Sequence, residues 1–256
     1  MPKDSGNPLG MIPDPYAGDG FVFSETPCTA ERRSWFRRAN EITAFLMTTE
    51  LALKECKAKY EQIATQKGLK ADTPFKLESS DGRSVITPLR SFLRQLIDGV
   101  DVLCRQAFVM HYGSLETYLF ELIERSYPEI GVTEDILKLS LSIMMGSNWD
   151  GKLCKIRDVF GIDYKASDIK RHFSSFEMDF EGKKVKNPLL FLDELAQIRH
   201  RIVHASSILE TGQAIYINAQ VFHAYFAFCA LLTDYIDSLF SKKFNFNRIT
   251  INPAEA

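Results

Sequence analysis

Between Leu189 and Leu209 the run LLFLDELAQIRHRIVHASSIL places Arg199, His200 and His204 at spacings that can do chemistry. A histidine titrates near neutrality and can move a proton to or from a ribose 2′-hydroxyl or a leaving oxygen. An arginine can hold the phosphate and offset the charge that develops in the transition state. Together they suffice in principle to cleave RNA without a metal. The same run also has HxxxH spacing, which puts two imidazoles on one helical face as a zinc protease requires. Here the middle of that motif is Arg201-Ile202-Val203, with no Glu as base, and arginines flank His200 on both sides. Cations beside a divalent site oppose metal binding, so neither a metal nor another cofactor is expected. The R-x4-H spacing of Arg199 and His204 carries little by itself. A second match of this kind, Arg105 and His111 with five residues between them, shows how easily it arises by chance.

The element that must position these residues is an amphipathic helix. Asn187 is suited to cap it, and Pro188 fits its first turn. Leu192, Leu195, Ile198, Ile202 and Leu209 return at three- and four-residue steps and define the core-facing stripe. Arg199 falls only about 40° from Leu195, inside that stripe. His200 and His204 share the opposite face with Asp193 and Gln197. A charge aimed into an apolar seam needs a partner, because an unpaired buried charge costs several kcal/mol. An internal carboxylate such as Glu116 or Asp193, a second subunit, or a phosphate would each serve.

The rest of the chain reads as helices. With 256 residues, 45% hydrophobic and 25% charged, it can bury a proper core in the manner of a soluble protein. A net charge of −2 argues against holding duplex DNA by bulk electrostatics and leaves room for a local basic site. Five widely spaced cysteines without a CxxC pair suit reduced thiols in a cytosol. The first residues lack a signal-peptide run, and the most apolar stretch, Val221 to Leu232, is too short to span a bilayer. A cytoplasmic protein with no membrane partner is therefore expected.

Residues 1–27, rich in proline, read as an extended arm, and 28–256 as one all-α domain. Thr29 is suited to cap a long helix ending near Gly68. Residues 72–87 break the helices, with Asp81-Gly82 as a turn and room for a small hairpin. Thr87-Pro88 opens a second long helix, or a pair interrupted at Gly113, that stops near Pro128. Shorter helices are expected over 134–145, 149–159 and 168–179, followed by the polar turn EGKKVK. A last helix to Phe240 is apolar over most of its circumference, which places it centrally in a core or in a subunit interface.

Two basic clusters stand out. The first turns of the long N-terminal helix read ERRSWFRR, whose Arg33 and Arg37 are candidate RNA contacts beside Trp35 and Phe36. Positive side chains there oppose the helix dipole unless an anion or carboxylates compensate. The simpler reading is a solvated face with two aromatics on the core. Lys183, Lys184 and Lys186 precede the motif helix and are candidates for guiding RNA phosphates. The chain contains neither a GxxxxGK[ST] nor a GxGxxG loop, and no GxSxG elbow.

Around Arg199-His200-x3-His204, with a polar residue second, a capped helix beneath it and a very apolar closing helix after it, the chain resembles the HEPN superfamily. Ser114-Leu115-Glu116-Thr117-Tyr118-Leu119 is similar to the LExYL-like run of an earlier HEPN helix. The resemblance covers about 87–240. It implies an antiparallel helical bundle that forms a homodimer, so that two motifs line one cleft. It also implies metal-independent endoribonuclease activity on RNA, in a toxin–antitoxin or anti-phage defence setting with an antitoxin or other defence protein as partner. Carried over, Arg199, His200 and His204 form the catalytic site and Glu116 is a supporting acid. Toxins of this superfamily that a partner adenylylates carry Tyr two residues after the histidine. Here that position is Ser206, which argues against such modification. The alternative function is a non-catalytic helical module that binds a partner protein or nucleic acid, in which Arg32–Arg38 matters more than the histidines.

Overall fold

The computed structural model describes residues 27–78, 81–131, 133, 135, 148–162, 179–180, 183–184, 188–204, 217 and 219–248. Among these, five α-helices dominate: α1 Ala30–Gln66, α2 Leu89–Ser126, α3 Trp149–Phe160, α4 Pro188–His204 and α5 Ala219–Phe244. A hairpin of β1 Pro74–Glu78 and β2 Ser84–Pro88 joins α1 to α2, and a two-residue ladder pairs β3 Asp179–Phe180 with β4 Lys183–Lys184. The expected arm over 1–26, the helices over 136–145 and 168–178, and the cap at Asn187 lie outside the described residues.

Local chemistry explains the boundaries. Thr29 caps α1, its hydroxyl accepting from the Arg32 N–H at 3.2 Å. The helix stops before Gly68, which adopts a left-handed φ of 59°. In the hairpin Gly82, φ 81°, turns the chain directly after Asp81. Its register sets Phe75 opposite Thr87 and Leu77 opposite Val85. Asn148 caps α3 by accepting from Gly151 N–H at 2.8 Å, and Gly161, again left-handed, ends it. Of the two readings open for the second long helix, the undivided one holds: Gly113 does not divide α2, because the hydrogen-bond ladder and the packing of neighbouring Tyr112 and Leu115 outweigh a propensity loss of about 1 kcal/mol. One expectation changes. Asp179, the last residue of the segment 168–179 expected to be helical, belongs to β3 and pairs with Lys184.

The chain forms two compact units, each made of separate segments. One comprises residues 1–41, 112–197 and 225–256; the other comprises 42–111 and 198–224. In the first, Trp35 is fully buried and stacks on Phe226 at 6.2 Å, while Phe160 packs against Tyr127 and Phe240. α5 is buried over most of its circumference, with Phe222, Tyr225, Phe228, Leu232, Ile236 and Phe240 all inside. Of the two places open to so apolar a helix, it occupies the core. In the second unit Tyr60, Phe75 and Phe92 form one aromatic cluster, with centroids 4.7–5.1 Å apart, that fastens the hairpin to both long helices. All five cysteines are thiols.

Candidate functional site

Of the stripe that its spacing predicts, α4 buries Leu192 and Leu195, with Phe191 beside them, while Ile198 and Ile202 are half-buried and Leu209 lies outside the described residues. Its last two turns, from Ile198 onward, belong to the second unit, so Arg199, His200 and His204 share one unit. His200 and His204 are exposed, and their rings pack at a tilt of 46° with centroids 4.8 Å apart. Val203, 46% exposed, lies beside them on the same open face. Arg199 is half-buried, as its position in the stripe requires. Its Nε–H is fully buried and, among the described residues, finds no acceptor. A guanidinium N–H held out of water without an acceptor costs on the order of 1–3 kcal/mol. That cost would fall if an anion met the group.

The carboxylates that the sequence offers to Arg199 have other work in the first unit. Asp193 accepts the Trp149 backbone N–H at 2.8 Å and so fixes the start of α3. Glu116 lies 3.7 Å from the ammonium of Lys152, which is only 4% exposed and sits 5.5 Å over the Trp149 ring. The Trp149 Nε1–H in turn donates to the Tyr112 hydroxyl at 2.8 Å. Lys152 is the residue that sequence reasoning missed. The signal was present, since Lys152 stands among Trp149, Leu153 and Ile156 on the buried stripe of α3, as Arg199 does on α4. Glu116→Ala should cost about 2–3 kcal/mol in urea unfolding, because it takes a carboxylate from a buried ammonium. A Glu116→Leu/Lys152→Met pair should recover most of that loss. Equal losses in the single and double variants would show that the pair does not hold α3 in place.

The basic–aromatic start of α1 is largely tied up within the first unit. Arg32 pairs with Asp234 at 2.7 Å, Arg38 grips Glu121 through both guanidinium nitrogens at 2.9 and 3.0 Å, and Glu31 receives Arg125 at 2.6 Å. Carboxylates from α2 and α5 thus compensate the cations that the helix dipole disfavours. Arg33 is half-buried and Arg37 is exposed. Lys183 and Lys184 lie on β4, their side chains outside the described residues, as is Lys186.

The second arginine–histidine match fails as a site. His111 is fully buried on α2, edge-on to Phe222 at 5.8 Å, and burial lowers its pKa to about 3. An imidazole held neutral in a core exchanges no proton with a substrate at physiological pH. His111→Leu should therefore leave any RNA cleavage at the wild-type rate. A folded His111→Leu protein with a cleavage rate tenfold down would reverse this exclusion.

Among the described residues no group of three or more His, Cys, Asp or Glu is placed to hold a metal ion. No described helix is long and apolar enough to cross a membrane. The chain matches no protein-family model, no curated protein and no solved structure in the comparisons made.

Proposed function

We propose that this chain is a metal-independent endoribonuclease of the HEPN type. The observation that carries the reading is the end of α4, where two exposed, adjoining imidazoles follow an arginine whose Nε–H is buried without an acceptor among the described residues. In this reading Arg199 holds the scissile phosphate, which supplies the missing acceptor, and His204 transfers the proton. A ribose 2′-oxygen attacks the adjacent phosphorus, the bond to the 5′-oxygen breaks, and a 2′,3′-cyclic phosphate results. Arg33, Arg37 and the lysines 183, 184 and 186 are candidates for guiding the RNA backbone, with Glu116 acting by supporting the fold through Lys152. The setting proposed is cytoplasmic, in toxin–antitoxin or anti-phage defence, with an antitoxin or other defence protein as partner. Incubating purified protein with defined RNAs in EDTA and mapping the ends tests the reading. Absence of cleavage products would remove it.

Arg199 and His204 lie roughly 140° apart around an ideal helix, so a second copy of the motif would help to complete one site. We therefore include a homodimer in the proposal. α5 is occupied by the core, so the pairing would use the open face of α4 around Val203. Light scattering should give twice the chain mass at micromolar concentration. A monomer at high micromolar concentration would exclude the dimer.

One observation favours the alternative reading, a non-catalytic interaction module. Phe45, Val85, Ile86, Ile97, Val102 and Met110 are exposed large apolar side chains, and all lie in the second unit. In that reading His204→Ala keeps full biological effect, whereas polar substitutions at Ile86 and Ile97 abolish it.

A further inference from the structure

We infer that His200 is a second proton-transfer group, acting with His204 as an acid–base pair within one chain rather than orienting it. The inference rests on the ribonuclease reading above. It comes from the geometry of the open face of α4. His200 stands at the middle of that face, with Arg199 and Arg201 about 100° to either side. An orienting residue would be expected to hold its partner by a hydrogen bond and to be sheltered itself. His200 instead is exposed to solvent, like His204, and the two meet in tilted ring packing with centroids 4.8 Å apart.

That separation suits the reaction. In an in-line displacement the attacking and leaving oxygens lie on opposite sides of phosphorus, so one imidazole cannot serve both at once. Enzymes that use two metal ions for this task place them about 3.5–4 Å apart, one for each oxygen. Two imidazoles with centroids 4.8 Å apart can reach the same two oxygens by small rotations about their side-chain bonds, given a hydrogen-bond reach of about 3 Å. A pair carrying one proton supplies both functions. The neutral ring takes the proton from the 2′-hydroxyl as the new P–O bond forms, and the charged ring gives its proton to the 5′-oxygen as the old bond breaks. The proton count balances, and after cleavage the pair holds its single proton on the other ring. Arg199 of the second copy of the motif neutralises the phosphate between them.

The test uses full-length protein, an all-oxygen RNA and the same RNA with sulfur in place of the scissile 5′-oxygen. A thiolate leaves without a proton donor, so the sulfur substrate dispenses with the acid alone. Native RNA should be cleaved about 10²-fold more slowly by His200→Ala and by His204→Ala. On the sulfur substrate one of the two variants should return to within about tenfold of the wild type while the other stays slow. His200→Asn, which keeps hydrogen-bonding capacity but carries no proton at neutral pH, should be as slow as His200→Ala. The pH–rate profile of kcat/KM should be bell-shaped for the wild type and should lose one limb in each single variant. His200→Asn at the wild-type rate, or sulfur rescue of both variants or of neither, would overturn the pairing while leaving the ribonuclease reading intact. Failure of the wild type to cleave any RNA would remove that reading and the pairing with it.

Discussion

Arg199→Ala and His204→Ala should each lower RNA cleavage by roughly 10²-fold or more, the scale set by removing a general acid–base or a charge-stabilising donor. The two losses should differ in kind. Arg199→Ala removes a half-buried guanidinium whose Nε has no acceptor among the described residues, so the folded protein should become no less stable in urea. His204→Ala alters an exposed ring at the last residue of α4 and should leave unfolding within about 0.5 kcal/mol of the wild type. Cleavage by the wild type should survive EDTA. EDTA-abolished cleavage would refute the assignment, as would a wild-type rate in the folded His204→Ala protein. Marked destabilisation by Arg199→Ala would instead give that arginine a structural role.

The largest effect on stability is expected at Asp237, which is fully buried on α5. Its carboxylate accepts the Thr29 N–H at 3.1 Å and the Thr29 hydroxyl, and Arg248 approaches it to 3.8 Å. It thereby ties the capped start of α1 to α5. Asp237→Ala strands the buried donors and should cost about 3–5 kcal/mol, a fall in Tm on the order of 10 °C. Burial raises the pKa of Asp237, against the pull of the Thr29 hydrogen bonds and of Arg32 and Arg248. The folded chain therefore holds this proton more tightly than the unfolded chain. The contribution of this group is full below the unfolded carboxylate range and is lost as pH rises through the folded value. Stability should accordingly decline from mild acid toward neutrality by this group's share, and Asp237→Asn should flatten that slope at a much smaller loss than Asp237→Ala. Thermal melts across pH 4–7 check both statements. A steeper slope in Asp237→Asn would reverse the sign.

Much of the fold was legible because it depends on neighbours in sequence. Thr29 and the glycines at 68, 82 and 161 act within one turn of themselves, so the limits of α1, the end of α3 and the turn at Gly82 could be read directly. Three- and four-residue spacing likewise marked the buried stripe of α4 and placed Arg199 inside it. What the chain could not announce was which distant group meets which. Arg32, Arg38 and Glu31 read as a charged helix start, yet Asp234, Glu121 and Arg125 receive them from 83 to 202 residues away. The place of Lys152 on the apolar stripe of α3 did not reveal that Glu116 and Trp149 would meet it. His111 matched the same pattern as His204, and only burial against Phe222 separates an inert core imidazole from an exposed one. The sequence by itself determined the helices, their caps and the arginine in the apolar seam, because those follow from local geometry and periodicity. The tertiary structure alone decided that α5 is core and that Asp193 and Glu116 serve α3. Each of these depends on long-range packing, which sets desolvation and partner choice and leaves no trace in spacing.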